Sequence, residues 1–256
     1  MIGQAQAFLN LSQDLAIHGF LVFLRLAAAV SILPAFGEMS VPARVKLGIS
    51  VAFTGIVAPT VPISVEFLDL SALIVLIVAE TLNGLLLGVA VRMFVFVLQT
   101  AGAIAAQSTS LSQLLGNTGG EPLPAIGHVL VVSGLALAVT TGLHVRIAAY
   151  FVASYDVLAF GKMPPATVLS QWGLAQVSSA FAMAFRLAAP FVIVSVLYNI
   201  TLGVINRAMP QLMVAFIGAP AITAGGLALL ALLSPVLLSV WLAALEDFLA
   251  TPGMAP

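Results

Sequence analysis

Glu80 and Arg92 are the residues of this chain best placed to do chemistry, because both are ionisable and both lie in one long apolar stretch, roughly residues 70–106. A charge at membrane depth is costly, so it marks an ion path, a proton relay or a protein contact. A relay needs several such groups in series. Glu80 and Arg92 stand twelve positions apart, about 18 Å along a continuous helix, and cannot pair with each other there. Pairing with a neighbouring helix or subunit fits better. At four-residue spacing Glu80, Gly84, Gly88 and Arg92 form one ridge, which Gln99, Gly102 and Ala106 continue. A small, polar ridge on an apolar helix suits close helix packing, with the lining of an aqueous path as the alternative.

Other constellations fail on residue type or spacing. His18, His128 and His144 are isolated, and no His-Glu-x-x-His pair presents two imidazoles to a metal. No Gly-x-Ser-x-Gly turn, Walker loop or Gly-x-Gly-x-x-Gly occurs. The absence of cysteine removes disulfides, thiolate metal ligands and thiol nucleophiles together. No enzymatic activity and no cofactor is expected.

The elements that must carry these residues are set by composition. With 8 Lys+Arg and 9 Asp+Glu in 256 residues, 62% hydrophobic content and a mean hydropathy of +1.20, the chain lacks the charge to coat a soluble fold. It is a membrane protein. A net charge of -1 offers no basic stripe for nucleic acid, and the hydrophobicity excludes disorder. Six apolar blocks follow, at roughly 15–36, 47–65, 70–106, 125–155, 174–205 and 212–246. Prolines and glycines mark the joins, and the short alternating segments of a β-barrel are missing. The expected fold is all-α and polytopic, in one domain over 1–256. The first charge is Asp14 and no basic leader precedes the first block, so no cleaved signal peptide is expected. Arg44, Lys46 and Arg207 in the first and fifth joins, against Lys162 in the fourth, place joins one, three and five in the cytoplasm and both termini outside.

Block three, about 55 Å long as a helix, exceeds a bilayer and must tilt, break or leave it. Arg25 and Arg186 sit inside apolar blocks in a short echo, Leu24-Arg25-Leu26-Ala27-Ala28 and Phe185-Arg186-Leu187-Ala188-Ala189. Each block is followed by a basic, proline-containing turn, which suggests two related hairpins. Both arginines should face protein, water or headgroups. Between blocks three and four, residues 107–124 are polar and glycine-rich, longer than a hairpin needs. Leu111, Leu114 and Leu115 give this segment an apolar patch, so it is either a plug for an opening or a solvated connector.

An ordered set of motifs resembles the FliR family of the flagellar type III export apparatus. It begins with Arg25, Pro34 and Val41-Pro42-Ala43-Arg44-Val45-Lys46-Leu47-Gly48, then Glu80 with Gly84 and Gly88. Gln99-Thr100-Ala101-Gly102 leads to Gln107 and Leu111, and Gly142-Leu143-His144 precedes Ser154-Tyr155. Pro190, Gly203, Arg207, Pro210-Gln211, Gly218 and Pro220 close the set. The family's usual Asn-Val-Phe after Pro-Gln-Leu is replaced by Met213-Val214-Ala215-Phe216.

The resemblance implies a non-enzymatic subunit of a protein-conducting gate in the bacterial inner membrane, at the flagellar basal body. Such a subunit looks like a fusion of FliP-like and FliQ-like chains and assembles with them into a ring of helical hairpins. FlhB-like and FlhA-like proteins are implied as further partners, and exported flagellar proteins as cargo. It also implies a pore plug at roughly 107–120, including Gln107, Leu111, Leu114, Leu115, Gly116, Gly119 and Gly120. Arg25, Arg44, Glu80, Gly84, Gly88, Arg92, Arg186, Arg207, Pro210 and Gln211 become candidate subunit or interhelical contacts. The alternative function is a small-solute or proton-coupled transporter.

Overall fold

The computed structural model describes residues 2–61, 69–109, 125–209 and 214–251. Among them all regular structure is helical: α1 (Ile2–Ile32), α2 (Ala43–Val57), α3 (Leu70–Thr109), α4 (Ala125–Thr140), α5 (Leu143–Val157), α6 (Ala166–Ala208) and α7 (Val214–Ala250), with a 3-10 turn at Ala58–Thr60. The protein is an all-α, polytopic membrane protein. Among the described residues, four helical stretches are long and apolar enough to cross a bilayer: Asp14–Ile32, Leu70–Ser108, Ala166–Ala208 and Ala221–Ala250. The bent pair α4 and α5 supplies a fifth if the two halves act as one span.

Two of the six sequence blocks therefore fold differently from simple spans. The second gives α2, whose 15 residues reach only about 22 Å, short of the roughly 30 Å hydrocarbon core. Pro59 stands in the 3-10 turn that follows, where its missing N–H cannot extend the α-helix. The fourth block breaks at Thr141-Gly142, with Gly142 in the left-handed region at φ 92°, a conformation glycine adopts without a Cβ clash. The third block does not break. α3 is one helix of 40 residues, about 60 Å long, so it tilts or extends beyond the membrane.

The chain divides into two compact units, each assembled from separated segments. The first comprises Met1–Met93, Val139–Gln176 and Leu245–Pro256. Here α1 packs against α2 and ends at Ile32, just before Pro34, which cannot supply a helical N–H donor. The α1–α2 turn needs glycine at position 37, since a Cβ there would lie 2.7 Å from both the Ile32 carbonyl carbon and the Ser31 carbonyl oxygen. Lys46 Nζ donates to the Gly37 carbonyl at 2.8 Å and fastens the turn to α2. The core of this unit is Leu21, Val22, Leu26, Val30 and Leu33 from α1 with Ile147, Tyr150 and Phe151 from α5, all nearly inaccessible to solvent. Phe53 meets Phe36 and Phe151 edge-on, with ring centroids 6.1 and 5.5 Å apart.

The second unit comprises Phe94–Ala138 and Val177–Ala244. Its core joins Val95, Leu98 and Ala101 of α3 to Leu187 and Phe191 of α6 and Trp241 of α7. Trp241 is buried and donates its indole N–H to the Phe94 carbonyl at 2.8 Å. α3 and α4 cross backbone to backbone at Gly102 and Gly127, where a Cβ on Gly102 would overlap the Gly127 main chain. Small residues at such a crossing are what let apolar helices associate through close packing when no water is there to drive them together.

Candidate functional site

The most elaborate polar site lies within the first unit, around Arg25 of α1 and Glu80 of α3. Arg25 Nε donates to Glu80 Oε2 at 2.6 Å and Nη2 to Oε1 at 2.9 Å, so the guanidinium fork and the carboxylate match bidentately. Arg25 Nη1 donates to the Leu158 carbonyl at 3.0 Å, and Glu80 Oε1 also accepts the Gly161 N–H at 2.8 Å. The Tyr155 ring covers the guanidinium, with the Arg25 Cζ 3.8 Å from its centroid. Beside them, Asn83 Nδ2 donates to the Lys162 carbonyl at 3.0 Å. Both charged side chains are 0% exposed.

The backbone makes this geometry possible. Gly84, one turn after Glu80, lies against α1 so closely that a Cβ would overlap the Arg25 carbonyl oxygen. A Cβ on Gly88 would lie 2.7 Å from the Ala29 carbonyl oxygen. The glycine ridge thus lets α3 rest directly on the α1 main chain. At that separation the short Glu80 side chain reaches Arg25 with two oxygens. The pair then holds the end of α5 and the start of the α5–α6 connection through backbone groups at Leu158 and Gly161, with Asn83 adding Lys162. The chemistry available is fixation. Both carboxylate oxygens are engaged and the guanidinium uses all three of its nitrogens, which leaves no exchangeable group facing water.

Arg92, at the other end of the same ridge, pairs with Glu38 of the α1–α2 connection at 2.6 Å and stays partly exposed. The two ionisable residues of α3 therefore take separate partners. Arg146 and Glu246 form a third pair at 3.0 Å. Of the remaining candidates, Arg44 is exposed in the first turn of α2, Arg207 in the last turn of α6, and Gln107 near the end of α3. Arg186 is exposed midway along α6, so the sequence echo with Arg25 does not give the two arginines the same surroundings. Leu111, Leu114, Leu115, Gly116, Gly119, Gly120, Pro210 and Gln211 lie outside the described residues.

Sequence reasoning missed Glu38, Asn83 and the backbone groups at Leu158, Gly161 and Lys162. A main-chain carbonyl or amide that serves as a partner leaves no trace in residue type. Asn83 did carry a signal, as an amide inside an apolar helix three positions after the glutamate. In the second unit, an open groove of about 510 Å³ is lined by Ser108, Ser195 and Asn199 with apolar neighbours. Its polar groups are taken up internally: Ser195 Oγ donates to the Ser108 carbonyl, and Asn199 Nδ2 donates to the Ser195 carbonyl at 2.8 Å. Among the described residues no group of three His, Asp or Glu side chains is placed to hold a metal ion.

Residues 16–248 match the family described as bacterial export proteins, family 1. Over 225 residues the chain is 32% identical to the flagellar biosynthetic protein FliR of Caulobacter vibrioides, covering 86% of this chain and 90% of that protein. The FliR of Escherichia coli K12 is 29% identical over 225 residues, covering 85% and 84% of the two chains. The FliR of Bacillus subtilis is 26% identical over 211 residues, covering 78% and 79%. The segment matched by the family contains the whole Arg25–Glu80 site.

Proposed function

Because this chain belongs to the FliR family of bacterial export proteins, we propose that it is a non-enzymatic, membrane-embedded subunit of the flagellar protein export gate. In this reading it assembles with FliP-like and FliQ-like subunits into a protein-conducting pore in the bacterial inner membrane, at the flagellar basal body. FlhB-like and FlhA-like proteins are its further partners, and exported flagellar proteins are the cargo. The observation that carries the reading is the family match over residues 16–248, which takes in part of every helix. The surface of α6 is compatible with it: Phe181, Phe185, Ile193, Leu197 and Val204 are exposed, side chains that either lipid or a partner helix can cover.

The second reading, a solute or proton-coupled transporter, draws on Glu80. That carboxylate is fully buried and held by Arg25 and Gly161, which favours a structural role over a relay. Deletion of the gene with measurement of hook and filament protein in the medium tests the export reading. Loss of secretion, restored by the intact gene, is the expected result. Undiminished secretion, or a purified chain that brings down neither FliP-like nor FliQ-like subunits, would refute it. Uptake by liposomes holding this chain alone, abolished by Glu80→Gln, would favour the transporter.

A further inference from the structure

Arg186 is a charge in the middle of an apolar helix for which the chain provides no salt bridge or side-chain hydrogen bond among its described residues. It is the twenty-first of the 43 residues of α6, about 30 Å from either helix end. Arg25, in the same local sequence, is enclosed by Glu80, the Leu158 carbonyl and Tyr155. Arg186 is exposed and takes part in none of the ion pairs found among the described residues. Four residues on, Pro190 lies inside the helix and has no N–H. The Arg186 carbonyl therefore lacks its usual helical donor. A cation and an underused acceptor occupy one level of α6.

The face continuing from Arg186 is apolar and open. Ile193, Leu197, Ile200 and Val204 are 59%, 60%, 59% and 64% exposed. Their positions, at successive steps of seven, four, three and four from Arg186, draw one seam of the kind that receives a second helix. Lipid tails can cover the apolar part of this seam but do not solvate a guanidinium at membrane depth. A second copy of this chain, using the same face, would bring two guanidiniums together near the middle of the contact.

We propose that this face of α6 docks an apolar membrane helix of a different polypeptide, one that carries an aspartate or glutamate at the level of Arg186. The proposal rests on the export-subunit reading for the existence of such a partner. The carboxylate would neutralise the guanidinium bidentately, as Glu80 does for Arg25. Apolar side chains beside it would fill the seam from Ile193 to Val204.

The test co-expresses the tagged full-length chain with the partner subunits of the proposed gate and measures their recovery after detergent extraction. Arg186→Glu should lower recovery at least about tenfold, since reversing one side of a desolvated pair sets two like charges against each other. Arg186→Lys should retain part of it. The thermal melt of the isolated variant chain should not move, because Arg186 has no ion pair to lose among the described residues; the same melt separates loss of docking from loss of folding. Exchanging the membrane-embedded carboxylates of the partners for lysine one at a time should reveal one that restores recovery with Arg186→Glu. Full recovery with Arg186→Glu would overturn the proposal, as would the absence of any rescuing exchange, or a variant that loses bound anionic lipid yet keeps its subunits. If the unmodified chain recovers no subunits, the export-subunit reading fails and this proposal fails with it; if it recovers them and Arg186→Glu does too, only this proposal fails.

Discussion

A buried arginine–glutamate pair can be read two ways, as a source of stability or as a commitment that is costly to break. The Arg25–Glu80 pair is of the second kind. Desolvating both charges offsets most of their attraction, but removing one leaves the other uncompensated in an apolar interior. Arg25→Leu and Glu80→Leu should each destabilise the chain by about 3–5 kcal/mol, measured as loss of thermal stability in detergent. The double variant should recover most of that loss. A double variant as unstable as the sum of the singles would show that the two side chains act separately. The Arg92–Glu38 pair makes the contrast: its side chains are 23% and 30% exposed, and Glu38→Gln should cost less than about 1 kcal/mol.

At the scale of the element, the determinant is how closely two helices approach. Gly84→Ala and Gly88→Ala add one methyl where α1 backbone already stands, so α3 must move away from Arg25. A loss of about 1–3 kcal/mol is expected for each, with Gly84 the worse because it lies against the Arg25 carbonyl itself. Gly48, inside α2, has open space where a Cβ would stand, with nothing within 4 Å. Gly48→Ala should therefore be neutral or stabilise by up to about 1 kcal/mol through helix propensity. Equal effects at positions 48 and 84 would mean that backbone freedom, and not helix contact, is what the glycines supply. The ridge from Glu80 to Arg92 was legible in the sequence as small residues at four-residue spacing. Its partner was not, because nothing in α3 specifies that α1 carries the matching backbone.

At the scale of the whole molecule, the export reading places the function in what the chain leaves uncovered. The export reading assigns residues 107–120 as the plug of the closed pore. Removal of residues 111–119, which leaves the described end of α3 and its Ser108–Ser195 contact intact, should make the assembled gate leak ions while the partner subunits still co-purify. An unchanged ion permeability would reduce the segment to a connector. The exposed apolar faces of α2 and α6 have the same dependence on their surroundings, since lipid and a partner helix cover an aliphatic side chain equally well and only a charge such as Arg186 discriminates between them.

Sequence alone determined that the protein is helical and embedded in an apolar medium, because 8 basic and 9 acidic residues in 256 cannot clothe that much hydrophobic surface in water. It also located the ionisable residues within the apolar stretches, since a charge among Leu, Val and Ala stands out without any fold. Tertiary structure alone decided what each charge faces. Arg25 and Arg186 share their neighbours in sequence, yet one is sealed against a carboxylate, a main-chain carbonyl and a ring, and the other is left open on α6. Local pattern sets the helix and the side of it on which a residue projects. Its partner comes from distant segments, 55 positions away for Glu80 and 133 for Leu158, and only packing brings such segments together.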